Sequence, residues 1–139
     1  MEIPTHLKHK PIIKVENYSK FDGRYAGDTD TEGLSIGIAQ WNNEGNTKLS
    51  AKVWRHTGEK WSRQSEELPL HRVLDLASLI CSTVFYVKNG VLLTDEELSI
   101  TASHDEQQIQ KLKESLEKDK TGIEHSLKRL AKILKQLDY

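Results

Sequence analysis

The sequence predicts an α+β fold: a four-stranded antiparallel meander sheet, then a hydrophobic helix and a C-terminal helical extension. Three observations predict it. Four short segments rich in β-branched or alternating apolar residues lie within residues 11–66, an apolar run with helical spacing begins at residue 70, and a second helical pattern follows Ser103. Strands that follow one another through short turns favour a meander. We expect a sheet-plus-helix domain over residues 1–90 and the extension over residues 91–139.

Turn-forming residues set the limits of the predicted strands. The polar segment 18–33 is rich in Asp, Gly and Thr, which is typical of a loop. The cluster 42–46 is rich in Asn and Gly, and it predicts a hairpin of the second and third strands. The strands are expected over residues 11–17, 34–41, 48–57 and 60–66.

The second and third strands alternate between two kinds of side chain. Because successive side chains of a strand point to opposite faces, the aliphatic positions should form the interior. The other positions combine small residues with cations and aromatic rings, and we expect that face to lie bare to solvent. The expected inner residues are Leu34, Ile36, Ile38, Leu49, Ala51 and Val53, and the expected outer ones are Ser35, Gly37, Ala39, Trp41, Lys48, Ser50, Lys52, Trp54 and His56.

A helix is predicted over residues 70–87, with Pro69 at its first turn and Asn89-Gly90 at its end. Its apolar stripe covers more than half of the helix circumference, so the helix needs cover on two sides. The aliphatic face of the sheet can supply one side. A second helix or a second copy of the chain must supply the other, and we expect a homodimer.

The C-terminal extension begins with a capping box, Ser103 and Glu106. Apolar residues then follow a heptad seam, and Gly122 weakens a helix there. Either one long helix or a helical hairpin breaking near residues 120–122 fits the pattern. The seam consists of Ile109, Leu112, Leu116, Ile123, Leu130, Ile133 and Leu137.

Charge, cysteine content and apolar stretches indicate the compartment in which the protein is expected. The net charge is −1 with 29% charged residues, so any binding of anions must depend on local charge. Cys81 is the single cysteine, and we expect it to be a buried thiol in a reducing compartment. The start of the chain has no apolar signal region, and the apolar stretch 73–87 contains Asp75 and is shorter than a membrane span. We expect a soluble cytoplasmic protein without a membrane partner.

The segment from Lys48 to Arg63 predicts a binding face for single-stranded DNA or RNA. It carries five cations against one carboxylate, Glu59, together with two tryptophans. Bases stack on exposed rings while cations follow the phosphates. The alternative is that the tryptophans cap the core. The expected contact residues are Trp41, Lys48, Lys52, Trp54, Arg55, Lys60, Trp61 and Arg63.

Residues 34–85 resemble the transcriptional positive cofactor four family in the order of their elements. The likeness lies in the run from Trp54 to Leu79, where a basic-aromatic hairpin leads through Glu-Glu-Leu-Pro into a helix. The resemblance implies a dimer that pairs through this helix and binds single strands on its sheet. It would place Lys52, Trp54, Arg55, Lys60 and Arg63 on the binding strands. The chain also looks like small bacterial proteins without an assigned role.

Catalytic and metal motifs are weak in this sequence. The six histidines lack metalloprotease spacing, and His6 and His9 are expected to be solvated in an irregular terminus. A calcium loop starting at Asp28 would need a glutamate at its twelfth position, which is Ala39. We therefore expect no enzyme activity, no catalytic residue, no metal and no cofactor. The alternative function is a protein-interaction or oligomerisation module that acts through the C-terminal helix.

Overall fold

The structure is a computed structural model that describes residues 1–43, 47–64 and 66–139. It confirms the α+β class. The chain divides into two compact units, Met1–Leu74 and Asp75–Tyr139, whereas the boundary was expected after residue 90. The strands are β1 (Lys10–Glu16), β2 (Thr31–Ile38), β3 (Leu49–Arg55) and β4 (Glu66–Leu68), and the helices are α1 (Leu70–Asn89), α2 (Glu106–Lys118) and α3 (Lys120–Gln136).

The sheet of the first unit is an antiparallel meander in the order β1-β2-β3-β4. Its register separates the two kinds of side chain that the sequence alternates. Leu34 pairs with Val53, and Ile36 pairs with Ala51, which puts the aliphatic residues on one face. Gly37 pairs with Ser50 on the opposite face. The predicted alternation is therefore confirmed.

The expected exposure of these two faces is wrong. The face with small and polar residues is the buried one, because the N-terminal segment lies on it and inserts Ile3 and His9. A Cβ at Gly33 would lie 2.5 Å from the Ile3 Cδ1 atom, and a Cβ at Gly37 would lie 2.0 Å from the Lys10 carbonyl oxygen. The small residues therefore leave space for the N-terminal segment of the same chain to pack on this face. The aliphatic face is the more open one, and Ile13 on β1 is 68% exposed.

The ends of two predicted strands also differ. β2 ends at Ile38, so Trp41 lies beyond the sheet and is 38% exposed. The fourth strand was predicted over residues 60–66, but β4 is Glu66–Leu68, because the Trp61 backbone forms only an isolated bridge to His56. Residues 44–46 of the predicted turn and residue 65 lie outside the described residues.

The tail of the second unit is one interrupted helix rather than a hairpin. Helices α2 and α3 are separated by Asp119 alone, and a helical hairpin needs a loop of at least two residues. The Asp119 amide donates to the Ser115 carbonyl, and the Asp119 carbonyl accepts from the Ile123 amide, both at 3.0 Å. The predicted capping box is replaced by Asp105, whose side chain accepts hydrogen bonds from the amides of residues 107 and 108.

Helix α1 packs incompletely against the tail within this unit. Val84 and Val87 line a cavity of about 270 Å³ together with Leu116, Ile123 and Leu127 of the tail. A second cavity of similar volume lies nearer the start of α1, where the connection after α1 and the first turns of α2 also line it. Well-packed interiors leave few voids larger than a water molecule. The seam of the tail is half-buried from Ile109 to Leu130 and exposed at Ile133 and Leu137.

Helix α1 is largely exposed. Cys81, expected to be buried, is exposed. With 20 residues and a mean hydropathy of 1.4, α1 is long and apolar enough to cross a membrane by length and composition, and 6% of its apolar window is buried. A soluble protein's core helix passes the same test when it is mostly buried. The cytoplasmic location and the absence of a membrane partner stay predictions.

Candidate functional site

The buried face of the sheet holds a polar network centred on His9, which is 1% exposed. Its Nε2 atom lies 2.9 Å from Ser35 Oγ, and its Nδ1 atom lies 3.0 Å from Ser50 Oγ and 3.1 Å from Glu67 Oε1. Trp54 closes the network, because its Nε1–H donates to Ser35 Oγ at 2.8 Å. The expectation that His9 is solvated is wrong. This imidazole ties the N-terminal segment to three strands.

The hydrogen bonds of this network determine the protonation of His9. The Glu67 carboxylate beside Nδ1 can only accept, whereas Ser35 Oγ accepts from Trp54 and can donate its hydrogen to His9 Nε2. The proton of a neutral imidazole then lies on Nδ1, which faces Glu67 and Ser50. Burial lowers the pKa of His9 below its ordinary value of 6.5, although the nearby Glu67 carboxylate opposes the shift. The ring is therefore neutral near pH 7.

The order Ser35, His9, Glu67 is that of a serine hydrolase triad, but the arrangement does not favour nucleophilic chemistry. Ser35 is buried on the covered face of the sheet, and its oxygen already accepts the Trp54 hydrogen bond. A nucleophile needs access to a substrate carbonyl and a nearby oxyanion site. We interpret the network as structural. The absence of enzyme activity stays a prediction.

Trp54 lies inside the first unit rather than on its surface, with 2% of its area exposed. Its ring makes edge-to-face contacts with His9 and Trp61, each at a centroid distance of 5.8 Å. Lys52 Nζ lies 3.9 Å from the centroid of the Trp54 ring, and burial lowers the pKa of this lysine. The prediction of a bare face of indoles is wrong at this position, since the ring cannot stack on a base without leaving its site.

The predicted cations do not share one surface. Arg55 pairs with Glu66 and with Asp30, and the hydrogen bonds that it donates to these carboxylates raise its pKa. Lys48 precedes β3, whereas Lys60 and Arg63 follow it, and all three are exposed. The seven residues of β3 span about 20 Å. The exposed cations therefore lie at opposite ends of the strand.

A polar cavity of about 580 Å³ lies beside the aliphatic face, between the loop after β1 and the sheet. Its lining includes Tyr18, Asp22 and Asp28 from the loop, and Leu34 and Val53 from the sheet. Within the described residues, no group of three or more His, Cys, Asp or Glu side chains could hold a metal ion.

Sequence reasoning missed the network because its members come from distant parts of the chain. His9 and Glu67 are 58 positions apart in the numbering, and no catalytic or metal-binding motif includes either of them. A usable signal was the run of small residues at alternate positions of β2, from Gly33 to Ala39. Small residues on a sheet face mark the close approach of another segment. They do not identify which segment it is.

Three comparisons with known proteins complete the description of the chain. Neither the curated proteins nor the solved structures contain a match. A family model does match, and its match covers residues 1–139. Over this whole length the chain belongs to DUF6530, a family of unknown function.

Proposed function

We propose that the protein is an association module whose open apolar surfaces bind a second copy of the chain. The observation that carries the proposal is the exposure of the second unit. Among residues 75–139, all of which the structure describes, Ser82 is the single buried residue. A helix as apolar as α1 gains stability in water when a partner covers it.

The aliphatic face of the sheet is a second open surface. Its apolar rows are Val15, Leu34 and Val53, a row that ends at Glu66 on β4, and next to it Ile13 and Ile36. Four strands at their usual spacing are about 15 Å across. An apolar area of this kind on a monomer marks a site of interaction.

Area supports a second copy as the partner. The apolar length of a 20-residue helix measures about 30 Å by about 10 Å, and the sheet face is about 15 Å across its strands and about 20 Å along them. Together these surfaces supply several hundred Å², which is of the order of the ~800 Å² per partner in a standard interface. In a dimer with two-fold symmetry, the same surfaces of both copies take part in the interface. The partner that covers the sheet face has to be apolar, and α1 of a second copy meets that requirement.

The test is the oligomeric state measured by light scattering after gel filtration. We expect twice the chain mass of 15.9 kDa. Ile13→Glu and Ile80→Glu should each give a folded monomer, because both side chains are exposed within one chain. Leu98→Glu is the matched control, since it adds the same charge at an exposed apolar residue outside both surfaces. A wild-type protein that is monomeric at every concentration would contradict the proposal. A protein that can be purified only in detergent would also contradict it, because α1 would then belong to a membrane.

Binding of single-stranded nucleic acid is a second candidate function. What supports it is the set of exposed residues Trp41, Lys48, Lys60 and Arg63, together with the resemblance of the order of elements in the sequence to the positive cofactor four family. The burial of Trp54 removes the ring on which the stacking hypothesis depended most. Titration of a labelled oligonucleotide at two salt concentrations tests this candidate, because phosphate contacts weaken as salt rises. Absence of binding at low salt would contradict it.

A further inference from the structure

The last turns of the tail helix concentrate positive charge on one face of an exposed helix. We define residues 125–137 as the basic tip. It carries Lys128, Arg129, Lys132 and Lys135 and contains no Asp or Glu. In contrast, α2 carries three lysines against three glutamates. Since the whole chain has a net charge of −1, the charge of the tip is a local feature.

The opposite face of the basic tip is apolar. Leu127, Leu130, Leu134 and Leu137 follow one another at intervals of three and four residues, so they form one stripe. The first two are half-buried within the second unit, and Leu127 lines a cavity beside α1. Beyond them the stripe is open, since Leu137 is 61% exposed and the neighbouring Ile133 is 57% exposed.

The lysines of the basic tip lack acidic partners in the described part of the chain. Among those residues no ion pair forms at Lys128, Lys132 or Lys135. The helix dipole accounts for a cation in the last turn, such as Lys135. It does not account for Lys128, which lies two turns earlier. A partner with negative charge is therefore the complement of this face.

We propose that the basic tip is a membrane-surface segment that binds anionic phospholipid. A bilayer of this kind presents acidic headgroups to the lysines and an acyl boundary to the leucine stripe, and helices with both faces lie in that interface. Nucleic acid would satisfy the cations and leave Ile133 and Leu137 in water. A second copy of the tip would bring like charges together. The proposal is independent of self-association through α1 and the sheet.

The experiment is flotation of the full chain with vesicles of phosphatidylcholine, with and without phosphatidylglycerol. We expect flotation with the anionic vesicles only, weakening as salt rises. Lys128→Glu/Lys132→Glu should reduce the affinity at least about tenfold, since each basic residue at an anionic surface contributes about fivefold. Ile133→Gln/Leu137→Gln should also reduce it. Circular dichroism checks that each variant keeps its helices.

Two control variants show whether vesicle binding depends on the basic tip itself. Lys111→Glu/Lys118→Glu makes the same charge change on exposed positions of α2 and should retain binding. Ile80→Glu on α1 should also retain it. Four results would overturn the proposal: no flotation with anionic vesicles at low salt, equal flotation with neutral vesicles, equal loss in either control, or a tip that binds an acidic peptide but no vesicle.

Discussion

The Nε1–H group of Trp54 donates a hydrogen bond of 2.8 Å to the Oγ atom of Ser35, on the neighbouring strand. This bond satisfies the polar atom of a buried indole, which otherwise carries a cost in an apolar site. It also orients Ser35 toward His9. Through Ser35, the buried indole of Trp54 is therefore linked to His9 of the N-terminal segment.

Trp54→Phe should lower the free energy of unfolding by about 2 kcal/mol. The substitution removes the donor to Ser35 and leaves part of the indole volume empty, and both effects destabilise. Urea denaturation followed by circular dichroism measures the change. Trp41→Phe is the control, because that ring is exposed and its loss should change stability by about 0.5 kcal/mol or less.

The same pair of variants tests the position of the indole by fluorescence. Iodide should quench wild-type emission in part, since it reaches Trp41 but not the buried ring. Trp41→Phe should remove much of the quenchable emission, whereas Trp54→Phe should keep it. Efficient quenching of the Trp54 emission would show that the indole is open to solvent and would revive the stacking hypothesis.

The sequence predicted the sheet topology and the two faces, but not which face is buried. Alternation is a local property of β2 and β3, so it can be read from Leu34, Ile36 and Ile38. Burial depends on what covers each face, and the cover here is an irregular segment with His9, which has no periodicity. The expected exposure of Trp54 is wrong for the same reason, since its partner Ser35 and the Asp30 partner of Arg55 are distant in the sequence.

Stability should fall as the pH drops below about 6.5. Burial lowers the pKa of His9 in the folded state, despite the opposing Glu67 carboxylate, and the nearby Lys52 ammonium lowers it further. The unfolded chain therefore takes up the proton first, near the ordinary value of 6.5, and the loss of stability continues until the folded state is protonated as well. Urea midpoints between pH 5 and 8 measure the effect.

His9→Asn separates this titration from that of other groups. The variant should be less stable at pH 7, by about 1–3 kcal/mol, because it leaves the buried Glu67 carboxylate without the neighbouring imidazole N–H. Its stability should also depend less on pH across the same interval. An equally steep dependence in His9→Asn would assign the pH effect to another group.

Gly37→Ala should disrupt the pairing of β1 with β2. An added Cβ would lie 2.0 Å from the Lys10 carbonyl oxygen and 2.8 Å from the Pro11 Cα atom, and both neighbours are backbone atoms that cannot rotate away. We expect a loss of at least about 3 kcal/mol in the free energy of unfolding. Denaturation by urea measures the loss, provided that the variant folds.

Gly33→Ala is the matched comparison for this substitution. Its added Cβ would meet the end of the Ile3 side chain at 2.5 Å, which can change its rotamer, and the Val15 carbonyl oxygen at 3.0 Å, where a small backbone shift suffices. The expected loss is about 1–2 kcal/mol, which is typical of moderate overpacking. If the two alanine variants lose the same stability, then the close approach of the Lys10 backbone is not the cause at Gly37.

Arg55→Ala tests whether the basic hairpin can act as a surface for single strands. Arg55 is held by Glu66 and Asp30, so its replacement should leave the affinity for a labelled oligonucleotide unchanged. Lys60→Ala/Arg63→Ala removes exposed cations and should weaken any binding at low salt. Because the ion pairs of Arg55 are partly exposed, its loss should cost about 1 kcal/mol of stability or less. Weaker oligonucleotide binding by Arg55→Ala, with the fold intact, would mean that nucleic acid displaces the two carboxylates and that the hairpin face opens to bind it.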